Sequence, residues 1–149
     1  MNYGLKLTRI HTWHSKYDPE KGLQRLMNNV FIVLSMIFCH IVDDYYLQGW
    51  LASAKQKKYW QENAPEKMYK YDYIWALLMH SFSWAFMIML PVATIYEFNP
   101  DPDFLFLFVF NVIVHAITDN LKANKRKINL WADQVTHIMQ IVLTAAILL

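Results

Sequence analysis

The stretch "FLFLFVFNVIVHAITDNLK" (residues 104–122) decides how the chain is to be read. Its first eleven residues are apolar except for Asn111, which is the content of a segment that sits in hydrocarbon. The run does not end there at a charged loop. It carries on through His115 and Asp119, four residues apart and therefore stacked on one face of a helix. An ionisable side chain near the centre of a bilayer costs about 2.5–3.5 kcal/mol on insertion scales, so each one calls for a partner or a task.

Composition agrees with a membrane setting. Of 149 residues, 56% are hydrophobic and only 17% are charged, which is apolar for a water-soluble domain. Three glycines among dense aromatics exclude a disordered chain or a flexible linker. A single cysteine, Cys39, excludes an internal disulfide framework and a cysteine-based zinc cage. A net charge of +2 gives no electrostatic case for nucleic acid as a partner. Residues 1–22 lack the continuous apolar core of a cleaved signal peptide, so insertion is expected to use internal segments.

Four stretches approach the ~20 apolar residues that cross a bilayer. They are residues 29–51, 73–96, 104–121 and 130–149. Residues 52–72 are charged and contain Pro65, and read as a loop with one short surface helix. The acidic turn "EFNPDPDF" and the basic turn "KANKRKIN" are short enough to make neighbouring spans antiparallel. The expected fold is all-α, a polytopic membrane protein of four transmembrane helices arranged as two hairpins. That domain covers residues 29–149. Residues 1–28 precede it as an interfacial or solvated segment, with Trp13 at headgroup depth and His11 and His14 without a role.

Basic residues set the expected orientation, because loops rich in Lys and Arg stay cytoplasmic. Lys55, Lys57, Lys58, Lys67, Lys70, Lys122, Lys125, Arg126 and Lys127 fall in the loops after spans one and three. The opposite side has Lys6, Arg9, Lys16, Lys21 and Arg25, all in the N-terminal segment. This places both termini outside.

Seven ionisable residues inside the spans form a pattern: His40, Asp44, His80, His115, Asp119, Asp133 and His137. His40/Asp44, His115/Asp119 and Asp133/His137 are pairs at a spacing of four. The first and second of these pairs sit late in spans one and three, whereas His80 and the third pair sit early in spans two and four. Antiparallel spans therefore carry all seven towards one leaflet, most of them within roughly 10 Å in depth at ~1.5 Å per residue. Each hairpin supplies His, Asp, His and a basic linker, the pattern of two parallel repeats about an axis along the membrane normal.

The motifs "HIVDDYYLQGWLASAK", "LLMH", "HAITDNLK" and "ADQVTH" resemble those of the small four-helix bacterial and phage membrane proteins grouped as domain of unknown function 3307. The likeness covers residues 30–145. It departs at the long N-terminal segment and at Asp43 beside Asp44, which leaves the choice of aspartate open. The resemblance implies a membrane bundle, in the bacterial inner (cytoplasmic) membrane, with these residues as its site; it implies no activity. A looser likeness, in ligands alone, is to helical zinc-dependent phospholipase C and nuclease enzymes.

Imidazole and carboxylate suit Zn²⁺, and also Mn²⁺ or Fe²⁺, so all seven residues are candidate ligands for one or two divalent transition-metal ions. Two ions can clamp the attacking and leaving oxygens of a phosphoryl group, with Asp44 or Asp133 accepting a proton. Gln48, Asn111 and Gln134 are expected to orient imidazoles through their other nitrogen. At headgroup level on the side of loops 52–72 and 122–129, the cytoplasmic leaflet, the substrate would be a phospholipid or lipid-linked phosphate. Lys55, Lys122 and Arg126 would attract its anionic group. Two other classes stay open: a proton or ion relay, and a non-catalytic scaffold held by a buried His/Asp network. The number of subunits is not legible.

Overall fold

The structure is a computed structural model that describes residues 19–99 and 101–149. Among them every regular element is helical. Helix α1 (Pro19–Ile41) runs without a break into a π-helical turn, Val42–Leu47. Two short helices, α2 (Leu51–Ala54) and α3 (Lys57–Asn63), and a 3₁₀ turn (Lys67–Tyr69) lead to α4 (Asp72–Ile95). Helices α5 (Pro102–Ala123) and α6 (Leu130–Leu148) complete the chain.

The four long helices form a bundle in which α4 packs on α1 and α5, and α6 packs on α5 and α1. Arg25 and Asn29, early in α1, donate to the Leu149 carbonyl at the end of α6, so these two helices run antiparallel. In the half of the bundle away from the polar residues the core is apolar: Ile88, Met89, Val92, Leu107 and Ile141 are buried. The outer faces are apolar as well. Phe31, Phe38, Phe86, Phe106, Ile117 and Met139 are exposed, as expected for side chains that meet acyl chains.

Three helical segments are long and apolar enough to cross a membrane: Pro19–Leu47, Lys67–Ile95 and Pro102–Ala123. The fourth expected span coincides with α6, but this 19-residue helix is not among them. Asp133, Gln134, His137 and Gln140 within it lower its hydropathy.

Residues 19–28, read from sequence as part of the preceding segment, belong to α1. Nothing in "PEKGLQRLMN" breaks a helix once Pro19 stands at its first position, where a missing N–H costs nothing. Trp13, His11 and His14 lie outside the described residues. Asp101 starts α5 by accepting from the Phe104 N–H at 2.8 Å, ahead of Pro102, and Asn129 starts α6 through the Ala132 N–H at 2.9 Å.

The long loop folds down onto one end of the bundle. Gly49, at φ 50°, turns the chain out of the π-helical segment in a conformation that favours glycine. Trp60 donates to the Ala54 carbonyl at 2.7 Å and stacks on Tyr69. Asn124, at the end of α5, accepts from the Lys57 N–H at 2.6 Å and donates to the Lys55 carbonyl at 3.0 Å. That clasp turns the Lys55 side chain into the bundle.

Candidate metal centre

All seven residues of that pattern meet at the loop end of the bundle, and His115, Asp133 and His137 are 0% exposed. His80 is the hub. Its Nε2 lies 3.2 Å from Asp44 Oδ1, 3.2 Å from His115 Nε2 and 3.5 Å from Asp119 Oδ2. Its Nδ1 faces Asp43 Oδ2 at 3.6 Å. A second focus adjoins the first, where His137 Nε2 stands 3.5 Å from Asp133 Oδ1 and 3.8 Å from Asp119 Oδ1. The His115 and His137 rings stack with centroids 4.2 Å apart, and the Trp84 ring lies 4.3 Å from that of His115 and 5.2 Å from that of His137.

Two groups have the spacing to hold a metal ion: Asp44, His80 and His115, and His115, Asp119 and His137. They share His115. Metal–nitrogen bonds of about 2.0–2.1 Å at tetrahedral angles put ligand atoms about 3.3 Å apart. The two 3.2 Å separations around His80 Nε2 match such edges.

His40 belongs to the cluster, but its nitrogens are engaged. Trp84 Nε1 donates to His40 Nδ1 at 2.8 Å, and an indole can only donate. The imidazole proton therefore sits on Nε2, 3.1 Å from the Gln134 oxygen that accepts it. Gln134 in turn donates to Asp44 Oδ2 and Asp133 Oδ2, at 3.2 and 3.1 Å. No free lone pair remains on His40 for an ion.

The expected orienting amides divide. Gln48 donates to Asp44 Oδ1 at 3.1 Å and lies 3.3 Å from His80 Nε2. Asn111 acts at one remove: Gln140 donates to its side-chain oxygen at 3.0 Å and accepts from His137 Nδ1 at 3.4 Å, which turns His137 Nε2 towards the carboxylates. Asn111 also donates to Thr144 at 2.8 Å. Lys55 pairs with Asp119 and Lys122 with Asp133, each at 2.5 Å, so both lysines are committed to carboxylates of the cluster. Arg126 stays exposed in the α5–α6 turn at φ 52°.

Asp43, which the sequence reading left open beside Asp44, completes the network together with Ser83, Trp84 and Gln140, which escaped that reading. Helical spacing held a signal for three of them, because Ser83 and Trp84 follow His80 by three and four residues and Gln140 follows His137 by three. Asp43 depends on the π-helical turn, which no periodicity announces. Among the described residues the buried side-chain atoms without a hydrogen-bond partner are Asp43 Oδ2, His115 Nδ1, Asp133 Oδ1 and His137 Nε2, and all four lie in this cluster.

No protein-family model matches the chain, and neither a curated protein nor a solved structure matches it. What the cluster does is therefore argued from its own chemistry.

Proposed function

We propose that the chain is an integral membrane metalloprotein that binds a divalent transition-metal ion, Zn²⁺ in first place, and uses it to hydrolyse a phosphoester of a lipid at headgroup level. The observation that carries this reading is the convergence of Asp44 Oδ1 and His115 Nε2 on His80 Nε2 at 3.2 Å, three donors from three helices at ligand spacing. Charge is compatible with it: four carboxylates, Asp43, Asp44, Asp119 and Asp133, share two lysines, Lys55 and Lys122, and a divalent ion would offset carboxylate charge that no lysine meets. A metal ion lowers the pKa of bound water to near 7 and so supplies a nucleophile at neutral pH. Asp133, with one oxygen unpartnered, is placed to take a proton.

The approach from the lipid side follows the α1–α6 seam. There a cavity of about 470 Å³ is lined by Ile37, Ile41, Tyr45, Tyr46 and Ile138, with His40 and Gln134 at its polar edge. Such a surface suits an amphiphile that keeps its chain in the bilayer. The side of the membrane is proposed from the lysines of residues 52–72 and 122–129, which favour the cytoplasmic leaflet. A proton relay would need polar steps across the full thickness, and the chain from His137 through Gln140 and Asn111 ends at Thr144.

Elemental analysis of detergent-purified protein tests the reading. About one equivalent of a transition metal is expected, falling below a tenth in His115→Ala, because His115 serves both ligand groups. A folded wild-type preparation without metal defeats the proposal. Release of phosphate from labelled lipids, lost together with the metal, separates an enzyme from a metal-held scaffold.

A further inference from the structure

We infer that Asp43 is the positioning carboxylate of the centre, holding His80 by its Nδ1–H so that Nε2 is presented to the ion. This rests on the metal reading above.

The argument begins with the helix. Successive side chains on an α-helix point about 100° apart, so neighbouring aspartates cannot ordinarily address one ring. The π-helical turn Val42–Leu47 has a wider i→i+5 step, which narrows that angle and brings both carboxylates inward. Asp44 then faces His80 Nε2 at 3.2 Å and Asp43 faces His80 Nδ1 at 3.6 Å, one carboxylate for each ring nitrogen. π-Helical turns of this kind occur frequently at functional sites.

Asp43 is 1% exposed and is held from its far side. Ser83 donates to Asp43 Oδ1 at 2.6 Å, and Ser83 follows His80 by three residues on α4, so one helix carries both the ring and the clamp. The other oxygen, Oδ2, is buried without a partner and is aimed at His80 Nδ1. A neutral imidazole can carry its proton on either nitrogen, and only the Nδ1–H form leaves Nε2 free to ligate. A carboxylate at Nδ1 selects that form, fixes the ring and raises the basicity of Nε2, as partners of ligating histidines generally do. Asp44, at the Nε2 side, is left as the ligand.

The test is metal titration of chelator-stripped, detergent-purified protein, with Co²⁺ as the probe. Asp43→Asn is expected to keep the wild-type stoichiometry, to weaken binding roughly 10- to 100-fold and to shift the visible absorption of bound Co²⁺. Placed in a His80→Ala background, the same substitution is expected to add no further loss, because Asp43 acts through that ring. Affinity within twofold of wild type, an undiminished effect in the His80→Ala background, or loss of a bound equivalent would each overturn the inference while leaving the metal reading intact. Wild-type protein that takes up no Co²⁺ or Zn²⁺ removes the metal reading itself and the inference with it. If Asp43→Asn does not fold, Ser83→Ala carries the test. Its affinity is expected to drop several-fold, and unchanged affinity is the contrary result.

Discussion

His40 lies in the row that led to the centre and yet is barred from ligating an ion, because a tryptophan donates to one of its nitrogens and a glutamine accepts from the other. His40→Gln is therefore expected to retain the full metal content that His115→Ala loses, as measured by elemental analysis of both. Trp84→Phe keeps an aromatic ring against His115 but removes the N–H that His40 Nδ1 accepts. A buried acceptor left unmet costs about 1–3 kcal/mol, to be read from denaturant unfolding in detergent, with the metal equivalents unchanged. At this scale the sequence was informative where spacing carries the signal. His115/Asp119 and Asp133/His137 are legible because four residues make one turn. Asp43 and Asp44 could not be told apart, since their roles depend on a local change of helix type. Nor could Lys55 and Lys122 be seen as partners of Asp119 and Asp133, because that depends on where a loop comes to rest.

Among the elements, residues 52–72 were read as a charged loop with one surface helix, and the stretch from Leu51 to Tyr69 forms two short helices and a 3₁₀ turn. Its seating rests on a side chain from elsewhere, Asn124, which accepts from the Lys57 N–H and donates to the Lys55 carbonyl. Asn124→Ala removes both bonds, at a cost of about 1–3 kcal/mol, and frees the backbone that aims Lys55 at Asp119. Amide exchange at residues 55–57 is expected to accelerate while α4 and α5 keep their protection. Hydrogen exchange read by mass spectrometry checks this. The apolar runs of α4 and α5 were plain from composition, whereas the start of α1 was placed ten residues late because its first turns are polar. Helix α6 lies between these cases: its ends were legible, but it spends much of its polar face on the cluster and so resembles a membrane span least.

For the molecule as a whole, the proposed orientation puts the metal centre and residues 52–72 on the cytoplasmic side and the acidic turn outside. In a Cys39→Ala background, Asp103→Cys is expected to react with a membrane-impermeant maleimide in intact cells. Lys58→Cys is expected to react only after lysis. The opposite pattern reverses the orientation and leaves the geometry of the centre untouched. The bundle is held unequally along its length. At one end ion pairs and short hydrogen bonds join all four long helices; at the other, contacts are mostly apolar, with carbonyls of Leu148 and Leu149 reached only at 3.4 Å by Tyr96, Arg25 and Asn29. Directional bonds tolerate little sliding, whereas apolar packing in acyl chains has no strong preference among small splays. A thinner or thicker bilayer is accordingly accommodated by the apolar ends, which tilt apart or together like the free arms of a clamped fork. On the proposed membrane and metal reading, the geometry of the centre at the joint is thereby insulated from the lipid composition around it.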